Sequence, residues 1–376
     1  MTSGVRLATI RGIPVRADAS VLVIVGVLAW GLADGALPEG APGYSGFLYG
    51  VAAVATAVVV MGSLLAHEFG HALVARRAGI GVRDITLWML GGVSRIEREA
   101  ADPATDLRVA IVGPAVSFAV AAGAMVVAFA SARIGGPPLL GAGAAAVASV
   151  NLVLAGFNLV PAAPLDGGRV LRAFLWRRHG DRCAAALTAA RAGRAFAFGL
   201  GGLGLLAVAG GAAVSGIWMV LLGWFLLDAA RAEEAQVVAG RDLLGVRVGR
   251  LMTPDPWTLA AALPVGSALD DEVPRRGCSA FPVTDADGSV RGLVGLRALR
   301  AVPLSRRTTT PVAAVMTPVA AVTCAEPDEF VLDVLRRADP TADPRVLVLR
   351  GGRLVGLLAP SDVTRAVRTA EAARHA

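Results

Sequence analysis

The chain has 376 residues, 55% of them hydrophobic and only 17% charged, with a mean hydropathy of +0.63 and a formal net charge of +7. A soluble domain carries about 25% charged residues, so the composition excludes a wholly soluble protein and points to a membrane protein with a soluble appendage. Every basic residue is Arg, scattered over loops rather than clustered with aromatics on one face, which speaks against nucleic acid as a partner. Cys183, Cys278 and Cys324 have no C-x-x-C spacing, which argues against a disulfide scaffold and a thiolate zinc site.

Six apolar spans are expected, near 19–36, 47–75, 106–131, 139–163, 194–212 and 214–230. Arg6, Arg11 and Arg16 precede the first. Arginines before an apolar stretch also mark signal peptides, but the later charge pattern needs this span to be retained. The loop at 37–46 has no Arg; Arg76, Arg77, Arg83, Arg95 and Arg98 follow the second span. The loop near 132–138 has only Arg133, and Arg169, Arg172, Arg177, Arg178 and Arg182 follow the fourth span. Basic loops alternate with nearly neutral ones, which puts both termini in the cytoplasm.

The second span contains "GSLLAHEFGHALVARR" at 62–77. Ionisable groups in an apolar helix are costly and mark function. Within it, H-E-x-x-H sets His67 and His71 four residues apart, on one helix face, where both imidazoles can reach one zinc ion. Glu68, beside the first ligand, is placed to take a proton from the attacking water. Arg76 and Arg77 anchor the helix end at the headgroups.

Next comes "DITLWMLGGVSRIERE" at 84–99, whose alternating apolar residues around Gly91 and Gly92 read as a hairpin. An edge strand dipping into the membrane there could hold an unwound substrate by β-augmentation. "GPAVS" at 113–117 follows in the third span, where Gly113 and Ser117 form a small-residue face for close helix packing. The fourth span is broken by Pro161 and Pro164 in "NLVPAAPLDGGRVLRAF". Irregular backbone at membrane depth belongs where it lines a wet cavity, and Asp166 stands at that break. It is the best candidate for a third zinc ligand; capping the helix that begins at Gly168 is its other reading. His67 lies roughly 30 Å along the helix from Phe47, so both halves of the site are expected near the inner leaflet.

"HEFGH", "GPAVS" and "NLVPAAPLDGG", in this order, resemble the site-2 protease family of intramembrane zinc metalloproteases. The resemblance implies His67, His71 and Asp166 as zinc ligands and Glu68 as general base. It also implies Asn158 as a polar active-site residue that positions substrate or stabilises the oxyanion. The hairpin would be the family's re-entrant β-loop.

From about 233 charges return and apolar runs shorten. "LMTPDPWTL" at 251–259 is echoed by "VMTPVAAVT" at 315–323. Each is followed by strand, turn, strand and helix: "FPVTDADGSVRGLVGLRAL" in one copy, "RVLVLRGGRLVGLLAPSDVTRAV" in the other. This tail resembles a tandem CBS pair, which implies an adenosyl-nucleotide site or a dimerising or gating module. The family's ribose-reading pattern is a hydroxyl residue followed three later by Asp. The first copy has Gly295 and Ala298 there; the second has Ala359 but keeps Asp362, which like Ser361 could equally cap the next helix.

The expected architecture is therefore a polytopic α-helical membrane protein, with six transmembrane helices and a re-entrant β-hairpin, plus a cytoplasmic α/β tandem CBS module. Residues 1–232 would form the protease domain, 233–249 a linker, 250–310 the first CBS domain and 311–376 the second. The expected activity is regulated intramembrane proteolysis: one Zn2+ per chain cutting a single-pass membrane protein, such as an anti-sigma factor, near the cytoplasmic face of a bacterial cell membrane. A homodimer through the CBS pair is a possible assembly. The alternative is a CBS-regulated channel or transporter with a structural metal site.

Overall fold

The computed structural model describes residues 4–89, 91–97, 99–273, 278–338 and 343–375, so Leu90 and Arg98 of the expected hairpin stretch lie outside it. The chain divides into two compact units, Met1–Val237 and Val238–Ala376.

Among the described residues, six helices are long and apolar enough to cross a membrane: α1 (Val21–Gly40), α2 (Gly46–Arg77), α3 (Pro103–Arg133), α4 (Pro138–Asn158), α6 (Arg182–Ala209) and α7 (Ala213–Asp242), the last running a few residues past Val237. They make the chain a multi-pass membrane protein. Between α4 and α6 lies the shorter α5 (Asp166–His179), closed by Gly180 in the left-handed conformation. Side-chain caps start three of the long helices: Ser45 accepts from Leu48 N–H, Asp102 from Thr105 N–H and Asp181 from Ala184 N–H. The fourth span ends at Asn158 rather than 163, because a chain carrying Pro161 and Pro164 cannot continue the helical ladder. The fifth begins at Arg182 rather than 194, and the sixth runs on to Asp242 through what reads in sequence as the start of a linker. Large apolar side chains such as Phe47, Val126, Val153 and Trp224 stand exposed along these helices, as a lipid-facing surface requires.

A four-stranded sheet, β1 (Val5–Ile10), β2 (Ile13–Ala17), β3 (Val82–Trp88) and β4 (Gly91–Ile96), completes the unit. The expected hairpin is β3–β4; β2 runs parallel to β3 and ties it to an N-terminal hairpin that turns at Arg11 and Gly12, both at positive φ. One face of the sheet packs on α2, where Ile13 and Ile85 enclose Ala72 with Leu65 and Phe69. The sheet is thereby seated against the helix turn that carries the two histidines.

The second unit holds two sheets of the same construction. One has the order β6 (Leu259–Ala260), β7 (Ala280–Thr284), β8 (Val290–Gly295), β9 (Thr317–Pro318). The other has the order β10 (Cys324–Ala325), β11 (Val346–Arg350), β12 (Arg353–Leu358), β5 (Thr253–Pro254). The "TP" strand of each sequence copy is thus given to the other copy's sheet: Thr253 faces Leu357, and Thr317 faces Leu293. Apolar cores lie under each sheet, one around Phe281, Val294 and Leu299, the other around Val331, Val346 and Leu358.

Candidate metal centre

The site is assembled from α2, α3 and the start of α5. His67, Glu68 and His71 stand on α2. On α3, Asp106, Val109, Gly113 and Ser117 recur at three- and four-residue steps, and so lie along one side of the helix. That side faces the histidines. His71 Nδ1 lies 2.6 Å from the carbonyl oxygen of Val109, and His67 Nδ1 lies 2.9 Å from Ser117 Oγ. A carbonyl only accepts, so the His71 proton sits on Nδ1 and its Nε2 presents a bare lone pair. A serine hydroxyl can accept as well as donate, and where Ser117 accepts from His67 Nδ1–H the His67 Nε2 is bare too.

Asp166 is the first residue of α5. Its carboxylate does not cap that helix, since the N-cap position is Leu165 and makes no side-chain bond. Instead Asp166 Oδ2 lies 3.2 Å from Nε2 of His67 and 3.2 Å from Nε2 of His71. The two Nε2 atoms are themselves 3.2 Å apart. Gly167 and Gly168 permit this placement: a side chain at either would strike the backbone of Leu159–Val160 or Ala162–Ala163, where the chain turns after α4.

Three lone-pair atoms therefore form a nearly equilateral triangle in a site where His67 and His71 are 2% and 4% exposed. Without a cation, that convergence is repulsive and costly at such burial. A tetrahedral zinc with ligands at about 2.0–2.1 Å has edges of about 3.3 Å between ligand atoms, which this triangle matches. Gly113 gives an independent test. A methyl group there would overlap Nε2 of both histidines, so α3 leaves open the space into which the lone pairs point. The donor set and the space both fit a zinc ion, for which three protein ligands would leave the fourth tetrahedral position to water or substrate.

Behind this triangle, Asp106 is fully buried and takes both Nε (2.9 Å) and Nη2 (2.8 Å) of Arg172, with Arg169 Nη2 at 3.4 Å. This two-pronged pair fastens α5 to α3 just beyond Asp166. Burial works against the Arg172 charge, but the Asp106 carboxylate outweighs it and the guanidinium pKa is raised. On the other side, Ser94 Oγ of β4 lies 2.8 Å from Glu68 Oε2 and 3.0 Å from the Glu68 backbone oxygen.

The structure thus brings His67, His71 and Asp166 to one point with Glu68 adjacent. Asn158 is not joined to them: its amide donates to Leu154 O of its own helix at 3.0 Å. Asp362 is buried at the start of the last helix (Pro360–His375), where Oδ2 accepts from Ala359 N–H at 2.9 Å and Oδ1 pairs with Arg365. That is a capping arrangement. A cleft of about 1130 Å³ in the second unit is lined instead by residues such as Trp257, Thr284, Asp287 and Arg353. Ser117 and Gly113, which read in sequence as packing alone, touch the site directly. Ser94 and Val109 carried no signal. Asp106 stands at the very start of the third apolar span, in the first turn of α3, where a carboxylate also reads as an ordinary helix-start residue.

Fold and site define a membrane-embedded metallohydrolase with a paired α/β module. Residues 55–136 and 139–200 match peptidase family M50, and residues 248–304 match the CBS domain. The "Putative zinc metalloprotease Rip3" of Mycobacterium tuberculosis is 43% identical over 98% of this chain and 93% of its own length. A "Putative zinc metalloprotease" of Synechocystis, sll0528, is 29% identical over 99% of this chain and 97% of its own. The solved site-2 protease from Methanocaldococcus jannaschii aligns at 27% identity and a TM-score of 0.43, over 61% of this chain and 95% of that one. The chain belongs to the M50 peptidases, zinc metalloendopeptidases of the site-2 protease type, and carries CBS domains behind its membrane unit.

Proposed function

We propose that this enzyme performs regulated intramembrane proteolysis, cutting the transmembrane segment of a single-pass membrane protein near the cytoplasmic boundary. The observation that carries the reading is the triangle of His67, His71 and Asp166, with Glu68 one residue from the first ligand on the same helix. These three residues would hold one zinc ion. When bound, zinc supplies Lewis acidity, polarising the scissile carbonyl and making water easier to deprotonate. Glu68 takes the water proton and returns it to the leaving amine. The β3–β4 hairpin offers its outer strand to an unwound substrate backbone, whose freed hydrogen-bonding groups need partners. Asn158 joins the site in this reading if its amide leaves Leu154 to meet the substrate. The arginine-bearing loops support a cytoplasmic placement of both termini in the cell membrane. The CBS pair is the regulatory part, acting through an adenosyl nucleotide or through pairing of two chains.

The test compares membrane proteomes of cells carrying wild type and Glu68→Gln. The variant should keep one zinc per chain and lose roughly a hundred- to ten-thousand-fold in cleavage rate. A single-pass protein, anti-sigma factor or other, whose intact form persists only with the variant is the substrate. Wild-type cleavage by Glu68→Gln would refute the reading.

A further inference from the structure

We propose that Ser94 is a positioning residue for Glu68, and that its hydroxyl couples the orientation of the base to the strand that receives substrate. The inference rests on the assignment of Glu68 as general base. β4 is the last strand of its sheet, paired to β3 along one edge. Side chains alternate along a strand, so Gly92 and Ser94 share a face while Val93 between them points away and is 46% exposed.

The shared face lies directly on Glu68. A methyl group at Gly92 would overlap the Glu68 side chain, so any side chain there must displace the glutamate or the strand. Two positions on, Ser94 Oγ sits between two acceptors, Glu68 Oε2 at 2.8 Å and Glu68 O at 3.0 Å. The hydroxyl has one proton to give, and the charged, nearer carboxylate oxygen is the stronger acceptor.

A glutamate side chain has three free torsions, and fixing it costs conformational entropy. Gly92 and Ser94 impose that order in advance. Ser94 engages Oε2, and among the described residues no hydrogen bond reaches Oε1. The arrangement leaves Oε1 to take the proton of the attacking water, with the other oxygen already anchored. Since both contacts come from β4, the base is oriented only while this strand is seated on α2. A substrate that adds to the outer edge of β4 adds to the element that aims the base.

Ser94→Val and Ser94→Thr have the same shape and differ by the hydroxyl, and so separate chemistry from packing. Full-length protein would be assayed in proteoliposomes on a single-pass reporter, with zinc content and Tm measured alongside. Ser94→Val should lose roughly 10- to 100-fold in kcat, the worth of one hydrogen bond to a charged group, with KM, zinc content and Tm unchanged. Ser94→Thr should restore kcat. Wild-type kcat in Ser94→Val would overturn the proposal. So would an equal loss in both variants, which assigns the effect to shape, or a rise in KM alone, which assigns it to strand docking. Failure of the underlying reading shows separately, as activity retained by Glu68→Gln.

Discussion

The membrane unit and the C-terminal unit differ in how much polarity they bury. Apart from Asp362, the described buried polar residues, among them His67, His71, Asp106, Ser117 and Asn151, all lie in Met1–Val237. The C-terminal unit buries Phe281, Val294, Val346 and Leu358 instead. Both units bury apolar residues, but among the described residues the unit that meets lipid also buries a set of polar ones, and the C-terminal unit buries almost none. The physical reason is the reference solvent. Lipid tails are as apolar as leucine, so apolar burial does little to drive helices together in a bilayer. A buried charge there persists only where a partner or a metal receives it. In the C-terminal unit, water makes apolar burial the main stabilising force. Buried polarity therefore maps chemistry in one unit, and buried apolarity maps stability in the other.

That contrast can be broken at stated places, and the largest effect is expected at Gly113. Gly113→Ala adds one methyl where the lone pairs converge, and should abolish stoichiometric zinc binding while helix content by circular dichroism stays as in wild type. Wild-type zinc content would show that the ion sits elsewhere. In the other unit, Phe281→Ala removes a fully buried ring and should cost about 3–5 kcal/mol of that unit's stability, read as an earlier melting step, with zinc content unchanged.

Ser117→Ala comes next. Loss of the hydroxyl at His67 Nδ1 should weaken zinc affinity roughly 10- to 100-fold in chelator competition. The smallest effect belongs to Glu329, whose pKa is lowered chiefly by its hydrogen bond with Arg337. A depressed carboxyl adds stability above its unfolded pKa and loses it as pH falls through the folded value, so the contribution should fade in the acid range below about pH 4.3. The pair is largely exposed, so Glu329→Gln should cost about 0–1 kcal/mol at neutral pH, measured by denaturant unfolding.

The residues legible in the sequence were those whose chemistry is local. His67, Glu68 and His71 declare themselves by spacing, and Asp166 by standing at a proline-broken helix. Val109 was invisible because its part is played by a backbone carbonyl, which every residue has. Ser94 is separated from Glu68 by 26 positions, and nothing in a lone serine announces such a partner. In "GPAVS" the small face was evident, but spacing alone does not say whether a helix or a metal site occupies the space it leaves. The N-terminal hairpin was hidden for another reason. In "VRLATIRGIPVRA" the arginines have two readings, and charge that marks membrane topology also fills the polar positions of alternating strands.

The exchange of "TP" strands between the CBS copies bears on how the chain is made. The first sheet waits for Thr317–Pro318, and the last strand pair of the second reaches back to Thr253–Pro254. Because synthesis runs from the N-terminus, the first copy emerges from the ribosome with one edge of its sheet still unfilled. Neither half can finish alone, so the module closes only when nearly the whole chain has been translated. A message cut short between the copies would yield the complete protease helices with no closed module behind them.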